Sequence, residues 1–168
     1  MAATDVRKNI TLNVDGRGYA GKLSEFNAPK LVQKTEEYRA GGMNAPIELN
    51  MGMEKLECDF SMISYDRNVL ALFGLVDGAQ VPLTAREALE SQDGTVTPVV
   101  HVMRGKVKEQ DPGTSAPGAV NPIKFTVALS YYRLEHGGAV IQEIDVENMV
   151  HVVNGVDVLA AHRAALGI

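Results

Sequence analysis

Apolar residues recur at a period of two from the N-terminus to about residue 145, the signature of β-strands with one buried face. Ile10, Leu12 and Val14 alternate with polar neighbours up to Asp15-Gly16, a strong turn pair, and Tyr19, Gly21 and Leu23 continue the alternation beyond it. Residues 9 to 25 therefore read as a hairpin. Leu56, Cys58, Phe60 and Met62 alternate with Lys55, Glu57, Asp59 and Ser61, a half-buried strand that points Cys58 into the core. The longest strand candidates are residues 97 to 109 and 125 to 135. The second carries Phe125, Val127, Leu129 and Tyr131 on one parity and Ala128, Tyr132 and Leu134 on the other, which predicts a strand covered on both sides. Gly137-Gly138 then turns the chain into Val140, Gln142 and Ile144.

Two segments carry a helical pattern. Ser64 is placed to cap a run in which Val69, Leu70, Leu72 and Phe73 share a face, with Gly74 as the stop. Asp157 is placed to cap a short Ala-rich helix from Val158 to Leu166 that Gly167 ends. Strands are not interleaved with helices, so a mainly β, antiparallel architecture is expected and a parallel α/β sheet is not. Two stretches fit neither period. Residues 41 to 53 hold three Gly, three Met and one Pro, and residues 111 to 122 hold three Pro. Methionines in the first suit a segment that packs against something mobile or external.

The 168 residues fit one domain, and 45% hydrophobic with 22% charged residues sits at the globular average. Sixteen Lys plus Arg against 21 Asp plus Glu leave a net charge of −5, which argues against a surface built to hold phosphates. The single cysteine excludes an intrachain disulfide and any Cys-based zinc cluster. No apolar run reaches signal-peptide or membrane-helix length, so folding in a cytoplasm without membrane insertion is expected.

Candidate chemistry is sparse. Gly16-Arg17-Gly18-Tyr19-Ala20-Gly21 matches Gly-x-Gly-x-x-Gly, with Glu36 downstream, but a dinucleotide fingerprint needs a helix to open at the glycines. Here the alternation of a strand follows, and then Pro29. His101, His136, His151 and His162 lack metal-ligand spacing, and Cys58 on a buried strand face reads as a small hydrophobe rather than a nucleophile. The closest carboxylate groupings, Glu36 with Glu37, Glu54 with Glu57 and Asp145 with Glu147, read as solvated faces and turns. No catalytic, cofactor or metal residues are assigned. A β-rich chain with open strand edges would close them against copies of itself, as rings that stack.

The run Lys34-Thr35-Glu36-Glu37-Tyr38-Arg39-Ala40-Gly41-Gly42-Met43-Asn44-Ala45-Pro46, with Leu49-Asn50-Met51-Gly52-Met53-Glu54, resembles the major tail tube protein of contractile-tailed phages and R-type pyocins. Phe73-Gly74-Leu75, Arg104-Gly105, Asp111-Pro112-Gly113, Ser130-Tyr131-Tyr132-Arg133-Leu134, Glu143-Ile144-Asp145 and Val153-Asn154-Gly155-Val156-Asp157 extend the likeness in order along the chain, with Asp77 to Thr97 matching least. The resemblance implies a β-sandwich or barrel-like tail-tube fold with one or two short helices, assembled as stacked hexameric rings. It implies a virion or tailocin tail tube, made in the host cytoplasm, whose partners are itself, the sheath protein, and the baseplate and tape-measure proteins. DNA would pass through the lumen without specific binding. The segment from about 36 to 54 would be an extended inter-subunit loop, with Glu36, Tyr38, Arg39, Gly41, Gly42, Met43, Met51 and Met53 as contacts. The alternatives are a type VI-like carrier, which shares the tube idea, and a small-molecule-binding β-barrel, for which no convergent polar pocket is visible.

Overall fold

The computed structural model describes residues 3–168, and every strand pair among them is antiparallel. In chain order the strands are β1 (Val6–Val14), β2 (Arg17–Gly18), β3 (Leu23–Asn27), β4 (Gln33–Tyr38), β5 (Ile47–Met53), β6 (Leu56–Met62), β7 (Val81–Glu90), β8 (Val96–Asp111), β9 (Ile123–His136), β10 (Ala139–Asp145), β11 (Val150–Val153) and β12 (Val156–Asp157). Two short helices, α1 (Arg67–Leu70) and α2 (Ala160–Leu166), complete the fold.

The long strand β9 organises the sheet. Along one side it pairs with β8 for nearly its whole length. On the other side it changes partner: Ile123 to Leu129 pair with β6, and Tyr131 to His136 pair with β10. The sheet therefore divides into a wing β6–β3 and a wing β10–β11–β12, while β8 carries β7, β1 and β2 on its far side. One core lies between these wings. Leu12, Val14, Leu83, Met103, Tyr132 and Ile144 close on Cys58, Phe60, Met62, Phe125 and Val127, and the Phe60 and Phe125 rings stack at 5.0 Å.

The division explains the double apolar pattern of β9. Ser130 is an extra residue relative to β8, whose Arg104 and Gly105 face Tyr131 and Leu129. Parity changes there. Phe125, Val127 and Leu129 face the core before the bulge and Tyr132 after it, while Tyr131 turns outward over Arg104, 4.4 Å from its guanidinium carbon. The strand has one core face that switches parity, not two covered faces, and Tyr131 does not share a face with Phe125. Gly105 is required at the crossing, because a Cβ there would collide with the Ala128 carbonyl oxygen.

Three two-residue turns share one geometry. Asp15-Gly16, Gly137-Gly138 and Asn154-Gly155 each hold both central residues at positive φ, the turn whose twist suits a hairpin. The first hairpin is shorter than expected: β2 ends at Gly18, β3 crosses to β6, and the main partner of β1 is β7. The helices also differ from expectation at their starts. Asp66, not Ser64, caps α1, and of its expected face Val69 is buried while Phe73 is exposed. Asp157 accepts from the Leu159 N–H at 3.0 Å, but α2 begins only at Ala160.

Candidate assembly surface

The segment expected as a loop around residues 36 to 54 is mostly a second, two-stranded sheet. β4 and β5 pair with each other and with no other strand among the described residues. The register Tyr38↔Ile47, Glu36↔Leu49 and Thr35↔Asn50 sets the faces. Because side chains alternate, Tyr38, Ile47, Leu49, Met51 and Glu36 share one face, while Thr35, Glu37, Glu48 and Asn50 share the other. The ribbon is amphipathic, yet no layer covers its apolar side: Tyr38, Ile47, Leu49 and Met51 are 51, 48, 42 and 54% exposed. Leu31 and Val32 at its root are also exposed. Fully burying a side chain of this size yields about 1.5–3 kcal/mol, so roughly half of that per residue is left for a partner to collect.

The tip is ordered by its own bonds. The Arg39 Nε donates to the Met43 carbonyl at 3.1 Å, and the Met43 N–H donates to the Ala40 carbonyl at 3.2 Å. The Met43 sulfur accepts from the Ala40 N–H, with Gly41 and Gly42 forming the bend between. Of the residues expected to make contacts, the fold brings Glu36, Tyr38 and Met51 onto the open face. Arg39, Gly41, Gly42 and Met43 build the tip, and Met53 packs against the core at the root.

A second open region lies at the C-terminus. Helix α2 has no buried residue among those described, and Val156, Val158, Leu166 and Ile168 are exposed. Arg163 straps it down, donating to the Met149 carbonyl at 2.8 Å and to Asp157 at 2.5 Å. That bond holds the Asp157 carboxyl below the usual aspartate range.

The other candidate chemistry resolves into structure. Burial pushes the Cys58 thiol up to about 12. Glu57 lies between Lys108 and Lys55, whose hydrogen bonds hold it below the usual carboxylate range, and Asp145 accepts two bonds from Asn148. Gly16 to Gly21 form a turn and a short strand rather than the mouth of a helix. No group of three metal-ligating side chains is assembled among the described residues, and no helix among them is long and apolar enough to cross a membrane. No local pattern marks the buried group that links Glu87, His101 and Tyr132, because it is brought together by the pairing of β7, β8 and β9.

The chain is 35% identical over 172 residues to the tail tube protein of Escherichia phage P2, with all of both chains covered. It is 28% identical over 156 residues to the major tail tube protein of Serratia phage KSP20, covering 92% of this chain and 91% of that one. Among solved structures, a chain from the cryo-EM structure of the anti-feeding prophage baseplate, 6-fold symmetrised, aligns with a TM-score of 0.46 and 11% identity over 82% of this chain and 92% of that one. The family described as phage tail tube protein FII matches residues 6–167, and the chain belongs to it: it is a structural tail tube subunit, a component of a virion tail that assembles with other tail components.

Proposed function

We propose that copies of this chain form hexameric rings that stack into the hollow inner tube of a contractile tail, and that the β4–β5 ribbon is the arm joining one subunit to the next. The observation that carries the reading is the ribbon itself. Its apolar face alternates as a strand does, and an isolated two-stranded hairpin is marginal in water without a surface to pack on. A neighbouring copy supplies that surface in every ring, through a head-to-tail contact that closes.

The tube is a conduit in this reading. A sheath contracts around it and drives it through the bacterial envelope, with the baseplate and the tape measure at its end and in its bore. Subunits assemble in the host cytoplasm. DNA then passes down the lumen, and a wall poor in free cations lets it slide. Six copies at −5 carry 6 × −5 = −30 per ring. Deleting residues 41 to 47 tests the arm, since it removes the tip without touching the core. The expected product is a folded subunit that forms no tubes by negative-stain microscopy. Normal tubes from that deletion overturn the arm.

A further inference from the structure

Glu87 stands on the core side of β7 with its side chain 3% exposed, and a guanidinium and an imidazole converge on one of its oxygens. Arg7 Nε lies 2.9 Å from Oε2 in an ion pair, and His101 Nε2 lies 3.8 Å from the same atom. A bulge brings Arg7 there. Alternation from Leu12 through Ile10 would place Lys8 on this face, but Lys8 is the extra residue between Arg7 and Asn9, so Arg7 stands opposite Leu89 on the face of Glu87, its own side chain 65% exposed. His101 Nδ1 is 3.0 Å from the Tyr132 hydroxyl, whereas Nε2 is buried with no hydrogen-bond partner among the described residues. An orphaned ring nitrogen aimed at an occupied carboxylate is a partner held in reserve.

The surroundings leave few other charges. Phe26 of β3 tilts against the imidazole at 5.7 Å, Tyr132 of β9 stacks on it at 6.1 Å, and Cys58 of β6 lies near Tyr132. Burial pushes the Tyr132 hydroxyl and the Cys58 thiol each up to about 12, so both stay neutral. Burial also holds His101 below the ordinary imidazole value; Glu87 pulls it upward, and Arg7 works against that pull. The N-terminal end of β1 is also held by its pairing with β7, Val6 against Glu90 and Arg7 against Leu89, and the residues before it by exposed bonds, from the Asp5 N–H to Ser91 Oγ and between Ala3 and Gln92. Removing Arg7 alone would strand a buried charge, which is strongly unfavourable.

We propose that Glu87 is a counter-ion seat with two occupants: Arg7 holds it while the N-terminal end of β1 is paired, and the His101 imidazolium takes it when that end comes away. Release of residues 3 to 8 is thereby coupled to uptake of one proton. The coupling is reciprocal, so any contact that clamps the segment drives the proton off His101, and acid loosens the segment.

The test is an NMR titration of 13C-labelled histidine in the wild-type and Arg7→Ala proteins, with hydrogen–deuterium exchange of the N-terminal peptide, corrected for intrinsic rate, from pH 7 to pH 5. Arg7→Ala is expected to raise the His101 midpoint by about one unit, a tenfold gain in proton affinity. In the wild type, exchange of residues 3 to 8 is expected to rise at least about fivefold toward pH 5, and in His101→Gln to stay flat. An unchanged His101 midpoint in Arg7→Ala overturns the proposal, as does the same pH curve in wild type and His101→Gln. If Arg7→Ala does not fold, the Glu87→Gln chain serves. Its His101 midpoint is expected to fall, and a midpoint equal to that of the wild type overturns the proposal.

Discussion

β5 and β6 are neighbours of equal length, seven residues each, and both place apolar side chains at alternate positions. Ile47, Leu49 and Met51 are the β5 set; Leu56, Cys58, Phe60 and Met62 are the β6 set. Their fates are opposite. Met62 is fully buried, while Met51 is more than half exposed. Patterning states that a face is to be covered, and it does not state by what. β6 finds its cover within the chain, where Leu12, Val14, Leu83 and Met103 close on its apolar face, whereas β5 finds only β4, which extends the ribbon without shielding its face. One strand serves folding and the other is free to serve assembly.

Substitutions that break this contrast should separate stability from assembly. Phe60→Ala removes a ring stacked on Phe125 and is expected to cost about 3–5 kcal/mol in urea denaturation, with assembly failing because the subunit unfolds. Gly105→Ala forces the β8–β9 crossing apart at the Ala128 carbonyl and is expected to cost about 1–3 kcal/mol by the same measurement. The buried thiol offers an independent reading of the core. In the native subunit Cys58 is expected to react with a disulfide reagent only as fast as the core opens, and Phe60→Ala should speed that reaction sharply.

The smallest expected effect is at the C-terminal strap. Because Arg163 holds the Asp157 carboxyl below the ordinary aspartate value, the strap is fully present above that ordinary value and is lost as pH falls through the depressed one. Amide protection of α2 should therefore fall in acid, and Asp157→Asn should remove that dependence while leaving the core amides unchanged.

Period and turn chemistry made much of the fold legible. β6, β8 and β9, the Asp15-Gly16 and Gly137-Gly138 turns and the burial of Cys58 all follow from local pattern. Pairings did not. Nothing local says that β1 joins β7 some seventy residues away, or that β3 leaves the first hairpin for β6. β7 was hidden for another reason: Ala85 to Glu90 favours helix, and its place between β1 and β8 overrides that preference. The parity change at Ser130 misplaced Tyr131, because a bulge is a property of two strands in register. Asn154-Gly155 was a readable hairpin signal beyond the end of the alternating pattern.

In the ribbon, the odd Gly and Met content set the segment apart, and alternation in Ile47, Leu49 and Met51 was there to be read as a strand. The intervening Gly52 and the Asn44-Ala45-Pro46 tip gave it the look of a loop. Which residues stay open depends on register, so neither the open face of Tyr38 and Met51 nor the inward turn of Met53 was legible from local pattern.

The most direct test of the ribbon as an assembly arm is the combined Ile47→Ser, Leu49→Ser and Met51→Ser variant, followed by urea denaturation and negative-stain electron microscopy. With its apolar face removed and its core untouched, the subunit should keep its unfolding free energy within about 0.5 kcal/mol, as surface changes do, and form no tubes. Tubes of normal length and diameter from that variant would contradict the account.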